Sequence, residues 1–139
     1  MRVWPDLVVV LLLSSTAYAD DRCASATAQS DLNECAGRSS HSADAELNDV
    51  YQEILRRYAS DHVFVAALSE AQRAWVTFRD SEMAAAFPET DKGAYGSVFP
   101  MCSSGLAEEL TRARTKRLRV WLDGVEEGDV CAGSIHVNN

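Results

Sequence analysis

Side chains that carry out acid–base, nucleophilic or metal chemistry occur in this sequence, but not at the spacings that such chemistry requires. The three histidines are His41, His62 and His136. None of them has a second ligand at a metal-binding spacing such as HExxH, so we interpret them as exposed residues that hold no metal. No serine stands in a GxSxG motif, the turn that exposes the nucleophile of many hydrolases.

The carboxylate pairs do not form a catalytic dyad either. Glu108 and Glu109 are adjacent in the sequence, and so are Glu126 and Glu127. Adjacent residues of a helix point in different directions, whereas the two carboxyl groups of a glycosidase must face the same substrate bond. The sequence therefore predicts a protein that is not an enzyme and that uses no cofactor and no metal.

One stretch, residues 68–80 (LSEAQRAWVTFRD), combines aromatic and charged side chains at helical spacing. Its polar members include Gln72, Arg73, Arg79 and Asp80. In one interpretation they form a recognition site on a rigid helix. In the other, Arg79 lies along Trp75 and Tyr51 and pairs with a carboxylate of a neighbouring helix. We favour the second, because charged groups beside an apolar seam are normally paired within the fold.

The charge balance of the chain is acidic. Its 139 residues carry a net charge of −8, and its pI is near 4.8. Such a chain has no basic surplus to replace the counterions of nucleic-acid phosphates, which argues against a nucleic-acid partner. An acidic surface raises the encounter rate with a cationic protein, although it also serves solubility alone.

The first 19 residues have the three parts of a secretory signal peptide. Arg2 precedes an apolar run over Leu7–Leu13, and Ala17-Tyr18-Ala19 has the small–x–small form of a cleavage site. The apolar run is too short to span a bilayer, which takes about 20 residues. We therefore expect residues 1–19 to be removed and the mature chain to be periplasmic or secreted, with no membrane anchor after cleavage.

The mature chain would keep all four cysteines. They are Cys23, Cys35, Cys102 and Cys131. An even number in a short exported chain is typical of disulfide bonds, and four cysteines allow three pairings. No two of them form a CxxC motif, which argues against a zinc site or a thioredoxin-like redox motif. Two covalent links would reinforce the modest core that about 120 residues can bury.

Helical periodicity dominates the mature sequence. A weak helix between Cys23 and Cys35 is followed by Gly37 and residues 38–42, which predict a helix stop and a short loop. Apolar stripes then predict three long helices, over residues 43–59, 62–86 and 105–123. We expect an all-α fold, an antiparallel bundle of three long helices plus a short N-terminal helix, tied by disulfides.

The central predicted helix supplies the seam against which the others would pack. Its apolar residues are Phe64, Leu68, Ala71, Trp75 and Phe78. They step by 4, 3, 4 and 3 residues, the spacing of a heptad-like seam. This spacing predicts Trp75 and Phe78 in the core, with Gln72 and Arg79 at its edge. The helix should end before Pro88, and Gly124 should cap the last helix.

The long connection over residues 88–104 is rich in turn residues, yet it contains several large apolar side chains. They are Tyr95, Val98, Phe99 and Met101. Such a loop either folds back over the core or presents a binding surface, and we favour the first because exposed apolar patches are uncommon. Residues 125–139 form an acidic and polar tail, which leaves residues 20–124 as the helical domain.

Taken together, several segments resemble one known family. They are Cys23, QSDLNECA over residues 29–36, DAELNDVY over residues 44–51, QRAWVTFRD over residues 72–80, Cys102 and LTRART over residues 110–115. In this combination the chain resembles the LprI-type lysozyme inhibitors, a family of small exported bacterial proteins, from Cys23 to Leu122. The resemblance implies an all-helical, disulfide-tied envelope or secreted protein that inhibits lysozyme.

The resemblance also implies how the cysteines pair. The family often has a cysteine shortly after the Arg-Asp pair, where this chain has Met83. Cys102 then lacks its usual partner, and Cys131 in the tail is the substitute. We predict the bonds Cys23–Cys35 and Cys102–Cys131.

The leading hypothesis is a non-catalytic binding protein whose acidic surface is drawn to a cationic lysozyme and occludes its cleft. The candidate contact residues are Asp44, Glu46 and Asp49 at the start of the helix predicted over 43–59, and Glu89, Asp91, Tyr95 and Phe99 in the long loop. Five residues are predicted to be structural. Trp75 and Phe78 would form the core of the bundle, and Gln72, Arg79 and Asp80 would fix how the other helices dock on it. The alternative function is a structural or adaptor domain of the bacterial cell envelope that binds another protein.

Overall fold

Three long α helices make up most of the described chain. The computed structural model describes residues 22–138, so the signal peptide predicted over residues 1–19 lies outside the described residues. α1 spans Gln29–Arg57, α2 spans His62–Ala86 and α3 spans Phe99–Asp123, and a short 3-10 helix spans Lys92–Tyr95. The prediction of an all-α fold is confirmed. Among residues 22–138, no helix is both long enough and apolar enough to cross a membrane.

α1 and α3 form the most closely packed pair of helices. At one end, the Asn33 side chain donates to the Ser97 carbonyl just before α3, at 2.9 Å. At the other end, the Tyr58 hydroxyl donates to the Trp121 carbonyl at 3.1 Å. Since residues early in α1 meet the start of α3 and residues late in α1 meet its end, the two helices run side by side in the same direction.

α2 runs in the opposite direction and meets the other helices in the core. The buried apolar residues are Ala43, Leu47, Val50, Ile54, Phe64, Leu68 and Leu118, and the last six form one cluster. The Phe64 ring lies 4.7 Å from Tyr58 and 5.8 Å from Trp121, between centroids. Burying a large apolar side chain contributes about 1.5–3 kcal/mol relative to leaving it exposed. The second half of α1, the first half of α2 and the second half of α3 therefore supply most of the apolar stabilisation.

The predicted seam of α2 is correct at Phe64, Leu68 and Trp75, which lie in the core or pack against it, and wrong at Ala71 and Phe78. Phe64 and Leu68 are buried, but Ala71 is exposed and the Phe78 residue is 50% exposed. The face of α2 that meets the other helices passes through Gln72 and Arg79 instead, one residue further along the chain in each case. A straight helix has 3.6 residues per turn, whereas a heptad repeat assumes 3.5, so the inward-facing positions shift along the helix. In the second half of α2, polar residues therefore make the contacts that the heptad spacing predicts for apolar residues.

The helix stop predicted at Gly37 is also wrong. Gly37 and residues 38–42 lie inside α1, which continues without a break from Gln29 to Arg57. The predicted short helix and the helix over residues 43–59 are thus one element. Ser39, in the predicted loop, lies close enough to the Glu108 carboxylate of α3 to help lower the pKa of that carboxyl. Packing against α3 therefore overrides the weak local propensity, since one interior glycine costs a helix only about 1 kcal/mol.

Local end signals were more reliable than the interior ones. The Asp61 carboxylate accepts a hydrogen bond from the Phe64 amide at 2.9 Å and so caps α2, which ends at Ala86 before Pro88. α3 begins six residues earlier than the predicted 105, because Pro100 falls in its first turn, where a missing amide proton costs nothing. Gly124 ends α3 with a φ of +77°, a conformation that L side chains rarely adopt.

One of the two predicted disulfide bonds is present. Cys23 and Cys35 are bonded, with their Cα atoms 5.7 Å apart. The predicted Cys102–Cys131 bond is wrong, because both residues are free, exposed thiols. Cys102 lies in the first turn of α3 and Cys131 lies beyond its other end, and the helix between them is about 30 Å long at about 1.5 Å per residue. A disulfide needs Cα atoms within about 7 Å.

The polar tail folds against the end of the helices. The Val125 amide donates to the His136 carbonyl at 3.0 Å, and the Asn138 amide donates to the Val125 carbonyl at 2.8 Å. The Trp121 indole donates to the Ser134 hydroxyl at 3.0 Å, and the His136 amide donates to the Tyr58 hydroxyl at 3.3 Å. The tail therefore covers the open end of the core beside α3.

Candidate partner-binding surface

Two of the three carboxylates proposed for a partner on α1 are used inside the protein. Asp44 Oδ1 lies 3.5 Å from Arg79 Nη1 of α2 and accepts a hydrogen bond from the Thr111 hydroxyl of α3 at 3.3 Å. Asp49 is exposed and forms no ion pair with any residue from 22 to 138. The acidic start of the predicted helix is thus mostly an internal joint between the helices.

Glu46 is the second of these internal carboxylates. Its two oxygens face two arginines of α3, at 2.6 Å from Arg119 Nη2 and 3.2 Å from Arg112 Nη1. The hydrogen bond from Arg119, supported by the charges of both arginines, lowers the pKa of Glu46 below its ordinary value. Because this site is largely solvated, the two ion pairs of Glu46 add only modestly to stability.

Arg79 makes two of the contacts that were favoured from the sequence, one with Trp75 and one with a carboxylate of a neighbouring helix. Its guanidinium carbon lies 5.3 Å from the centre of the Trp75 ring, and Nη2 also lies 3.1 Å from Asp80 Oδ1. The cation therefore covers the half-buried indole while it pairs with Asp44 and Asp80 at once. This arrangement leaves no free charge at Arg79 to attract an external ligand.

A polar layer continues between α2 and α3. Arg114 Nε donates to the Gln72 side-chain oxygen at 3.0 Å, and its Nη2 is shielded from solvent without a hydrogen-bond partner among residues 22–138. Burial, together with the charge of Arg117, lowers the pKa of Arg114, although a guanidinium stays protonated at neutral pH. The second half of α2 is thus held by directional polar contacts, which cost desolvation energy that an apolar seam would not.

The long loop folds around an aromatic cluster of three residues, Phe87, Tyr95 and Phe99. The Tyr95 and Phe99 rings are stacked at 5.5 Å, and Phe87 meets both edge-on at 5.4 and 5.2 Å. Lys92 Nζ lies 5.9 Å from the Tyr95 ring centre and donates to the Glu89 carbonyl at 2.7 Å. Such ring pairs contribute about 0.5–1.5 kcal/mol beyond their area. The loop therefore folds around its own small aromatic core beside the bundle. We expected it to fold back over the main core, and it does not.

This cluster presents two carboxylates to solvent. Glu89 is exposed, and its backbone amide donates to the Tyr95 hydroxyl at 2.8 Å. Asp91 is also exposed, but its Oδ1 accepts from the Gly93 amide at 2.9 Å and so caps the 3-10 helix. Neither carboxylate forms an ion pair with any described residue. Of the seven residues proposed for a partner, the structure brings four together here: Glu89, Asp91, Tyr95 and Phe99.

Sequence reasoning missed two features of this region. Lys92 orders the loop by donating hydrogen bonds to two backbone carbonyls, those of Phe87 and Glu89. In the sequence, this role was indicated only by the presence of a single cation within an aromatic segment. The exposed flank of α2, with Val76 at 37% and Phe78 at 50% exposure, was hidden because the heptad spacing pointed Phe78 inward. On that helix, a shift of one residue in the assumed inward-facing positions exchanges a core position for an exposed one.

Small-molecule and metal sites are sparse in the described chain. Among residues 22–138, no group of three His, Cys, Asp or Glu side chains could hold a metal ion. One open cavity of about 220 Å³ lies beside the Cys23–Cys35 bond and is lined almost wholly by polar side chains. Ligand pockets for organic molecules are usually larger, about 300–1,000 Å³, and mostly apolar.

Comparison with known proteins gives a family and one relative. The family model described as "Lysozyme inhibitor LprI" matches residues 19–118, which include α1, α2, the long loop and most of α3. An uncharacterized protein of Rhizobium meliloti (strain 1021) is 37% identical over 132 residues, which cover 84% of this chain and 93% of that protein. No solved structure matches the chain.

Proposed function

The chain belongs to the LprI family of lysozyme inhibitors, and on that premise we propose that it is an exported, non-catalytic protein that binds and inhibits a muramidase. The observation that carries the proposal is the extent of the family match, which covers residues 19–118 and hence the scaffold that supports the loop. Export rests on the signal peptide predicted over residues 1–19, and the mature protein would act in the periplasm or outside the cell.

We propose the acidic loop, defined as residues 88–98, as the surface that meets the muramidase. Its carboxylates at Glu89 and Asp91 are exposed and have no cation partner in the described chain. Asp44 and Glu46 are already paired with Arg79, Arg112 and Arg119, so a partner would have to compete for them. The acidic loop therefore offers free negative charge where the surface of α1 largely does not.

The aromatic cluster makes this loop suitable for insertion into a cleft. Binding a loop that is already ordered avoids the entropy that a flexible loop would lose. A muramidase must bring its two catalytic carboxyl groups to the glycosidic bond of a polysaccharide lying in its cleft. A rigid loop anchored at the rim of that cleft would exclude the polysaccharide without any chemistry. The loop carboxylates would contact basic residues at the rim, since the catalytic carboxylates themselves would repel them.

The test is a cell-wall lysis assay with a cationic lysozyme and the chain that begins at Asp20. We expect the rate of lysis to fall as this protein is added, and the effect to weaken as salt screens the charges. Reversing one charge with Glu89→Lys should weaken inhibition about tenfold, which corresponds to about 1.4 kcal/mol. Asp49→Lys is the matched control, because it reverses an equally unpaired carboxylate on α1.

The outcomes separate the function from the surface. If a micromolar excess of the parent protein leaves lysis unchanged, the inhibitor function is wrong. If the parent inhibits but Asp49→Lys weakens inhibition and Glu89→Lys does not, the function stands and the acidic loop is the wrong surface. Capture of one endogenous envelope protein, without any effect on lysis, would instead support the adaptor function.

A further inference from the structure

The Cys23–Cys35 disulfide has a cation in direct contact with both of its sulfur atoms. Arg38 Nη2 lies 2.8 Å from Cys23 Sγ and 3.3 Å from Cys35 Sγ. The other terminal nitrogen of the same guanidinium pairs with the Glu34 carboxylate, which holds it in this orientation. A disulfide itself is uncharged, so a guanidinium gains far more from a thiolate at this position than from the intact bond.

The open cavity gives access to one of these sulfurs. It has a volume of about 220 Å³, and its lining includes Cys35 but not Cys23. The charged residues of the lining are Arg22, Asp31, Glu34 and Arg38. Two cations and two carboxylates balance one another, so the cavity does not repel an approaching thiolate by net charge. A small thiol can therefore enter beside Cys35, while Cys23 faces the guanidinium.

We propose that the Cys23–Cys35 bond is a thiol-exchange site, at which a dithiol attacks Cys35 Sγ and Cys23 leaves as a thiolate stabilised by Arg38. In the first step the attacking thiolate forms a mixed disulfide with Cys35, and the electron pair of the broken S–S bond goes to Cys23 Sγ. The second thiol of the reductant then loses its proton and attacks the reductant sulfur that is bonded to Cys35. The mixed disulfide breaks, Cys35 leaves as a thiolate, and both protein thiolates take up the protons that the two reductant thiols have lost. The dithiol is oxidised to a disulfide by two electrons, and the protein gains two thiols.

The consequence of exchange falls on the N-terminal segment. The bond joins residues 22–28 to Cys35 in the N-terminal part of α1, and the Ala28 side chain supplies no cap for that helix. Reduction therefore removes a covalent link from the end of α1 that meets the long loop, through Asn33 and Ser97. This site is distinct from the proposed lysozyme contact, and its test uses no lysozyme.

The rate of reduction tests the role of Arg38. The full mature chain, carrying Cys102→Ser and Cys131→Ser so that only one pair of cysteines remains, is treated with dithiothreitol, quenched with acid and analysed by mass spectrometry. Replacing the cation with Arg38→Met should slow reduction about three- to tenfold, because a poorer leaving thiolate departs more slowly. Arg38→Lys should restore part of the rate. Arg56→Met is the matched control, since Arg56 lies on the same helix and, among residues 22–138, pairs only with Glu53.

Two further measurements make the proposal independent of any folding defect in one variant. Glu34→Gln keeps a side-chain oxygen that can accept from the guanidinium but removes the negative charge that offsets it, so it should speed reduction. With the monothiol glutathione, the trapped adduct should lie on the Cys35 peptide. The proposal is overturned if Arg38→Met, with helical circular dichroism like that of the parent, is reduced as fast as the parent, or if the adduct lies mainly on Cys23.

Discussion

Asp44 Oδ1 on α1 lies 3.5 Å from Arg79 Nη1 on α2 and accepts a hydrogen bond from Thr111 on α3, so one carboxylate oxygen joins all three helices. The Thr111 side chain is almost completely buried, whereas the side chains of Arg79 and Asp44 are 25% and 45% exposed. Solvent therefore screens the ion pair, and the hydrogen bond to the buried hydroxyl is the more costly contact to lose. This joint replaces an apolar seam in the second half of α2.

A double-mutant cycle should separate the two contributions. Asp44→Ala should lower the free energy of unfolding by about 1–3 kcal/mol, because it leaves the buried Thr111 hydroxyl without its acceptor. Arg79→Met should cost less, and the coupling energy between the two positions should be about 0.5–1 kcal/mol. Urea unfolding of the parent, both single variants and the double variant measures this coupling. Strictly additive losses would show that the pair contributes no interaction energy.

The same substitution at two phenylalanines of α2 should give very different losses. Phe64→Ala removes a ring packed against Tyr58 and Trp121 and should cost about 3–5 kcal/mol. Phe78→Ala removes a half-exposed ring and should change the free energy of unfolding by less than about 1 kcal/mol. Urea unfolding with equal slopes for all three proteins measures both values. A loss of several kcal/mol at Phe78 would place that ring in the core, as the heptad spacing predicts.

Structural features that depend on a few neighbouring residues were predicted more accurately than those that depend on packing between helices. The end of α2 before Pro88 and the cap at Gly124 were predicted correctly, because a helix end depends on a few neighbouring residues. Gly37 was misread because the propensity of one glycine is small beside the packing of a 29-residue helix against its neighbour. The position of Phe78 depends on the rotation of α2 about its axis, which contacts with Asp44 and Arg114 decide.

The candidate site could be predicted from the sequence only where it depends on local composition. The acidic loop was identified from its composition, but its aromatic cluster requires Phe87 and Phe99, on either side of the loop, to meet in space. That Asp44 and Glu46 are paired internally could not be read from the sequence, because their arginine partners are 35 or more positions away. The predicted Cys102–Cys131 bond is wrong because an uninterrupted helix separates the two cysteines. The number of cysteines in a sequence does not reveal how far apart they lie in the fold.

Gly124 should be far less tolerant of a side chain than Gly37. A Cβ at Gly124 would lie 2.5 Å from Asn138 Oδ1 and 2.6 Å from His136 Nε2, and the φ of +77° is strained for alanine. Gly124→Ala should therefore cost about 1–3 kcal/mol and loosen the tail. Gly37→Ala, where nothing lies within 4 Å, should stabilise α1 by about 0.5–1 kcal/mol.

Thermal unfolding gives the stability of both glycine variants. Amide hydrogen exchange at Val125 and Asn138, whose amides bond within the tail, reports on its attachment. Faster exchange at these two amides in Gly124→Ala, with core amides unchanged, would show that the tail alone responds. Equal stability of the two alanine variants would contradict the conformational requirement at Gly124.

Glu46 should make the protein lose stability in acid. The hydrogen bond and charge of Arg119, with the charge of Arg112, lower the pKa of this carboxyl from 4.5 in the folded protein. Glu108 is shifted in the same direction by Arg112 and Ser39. A lowered folded pKa means that the unfolded chain binds the proton first, so the stabilisation is fully present above about pH 4.5 and is lost as the pH falls through the folded pKa.

The melting temperature measured from pH 7 to pH 3 tests this sign. It should be nearly constant down to about pH 5 and fall below that, as the unfolded state takes up protons. Glu46→Gln should lower the melting temperature at pH 7 and reduce the further fall in acid, because the residue no longer titrates. Glu127→Gln, at an exposed tail position with no ion pair among residues 22–138, should keep the fall seen in the parent. If Glu46→Gln loses as much stability between pH 5 and pH 3 as the parent does, the arginines of α3 contribute nothing through this carboxylate.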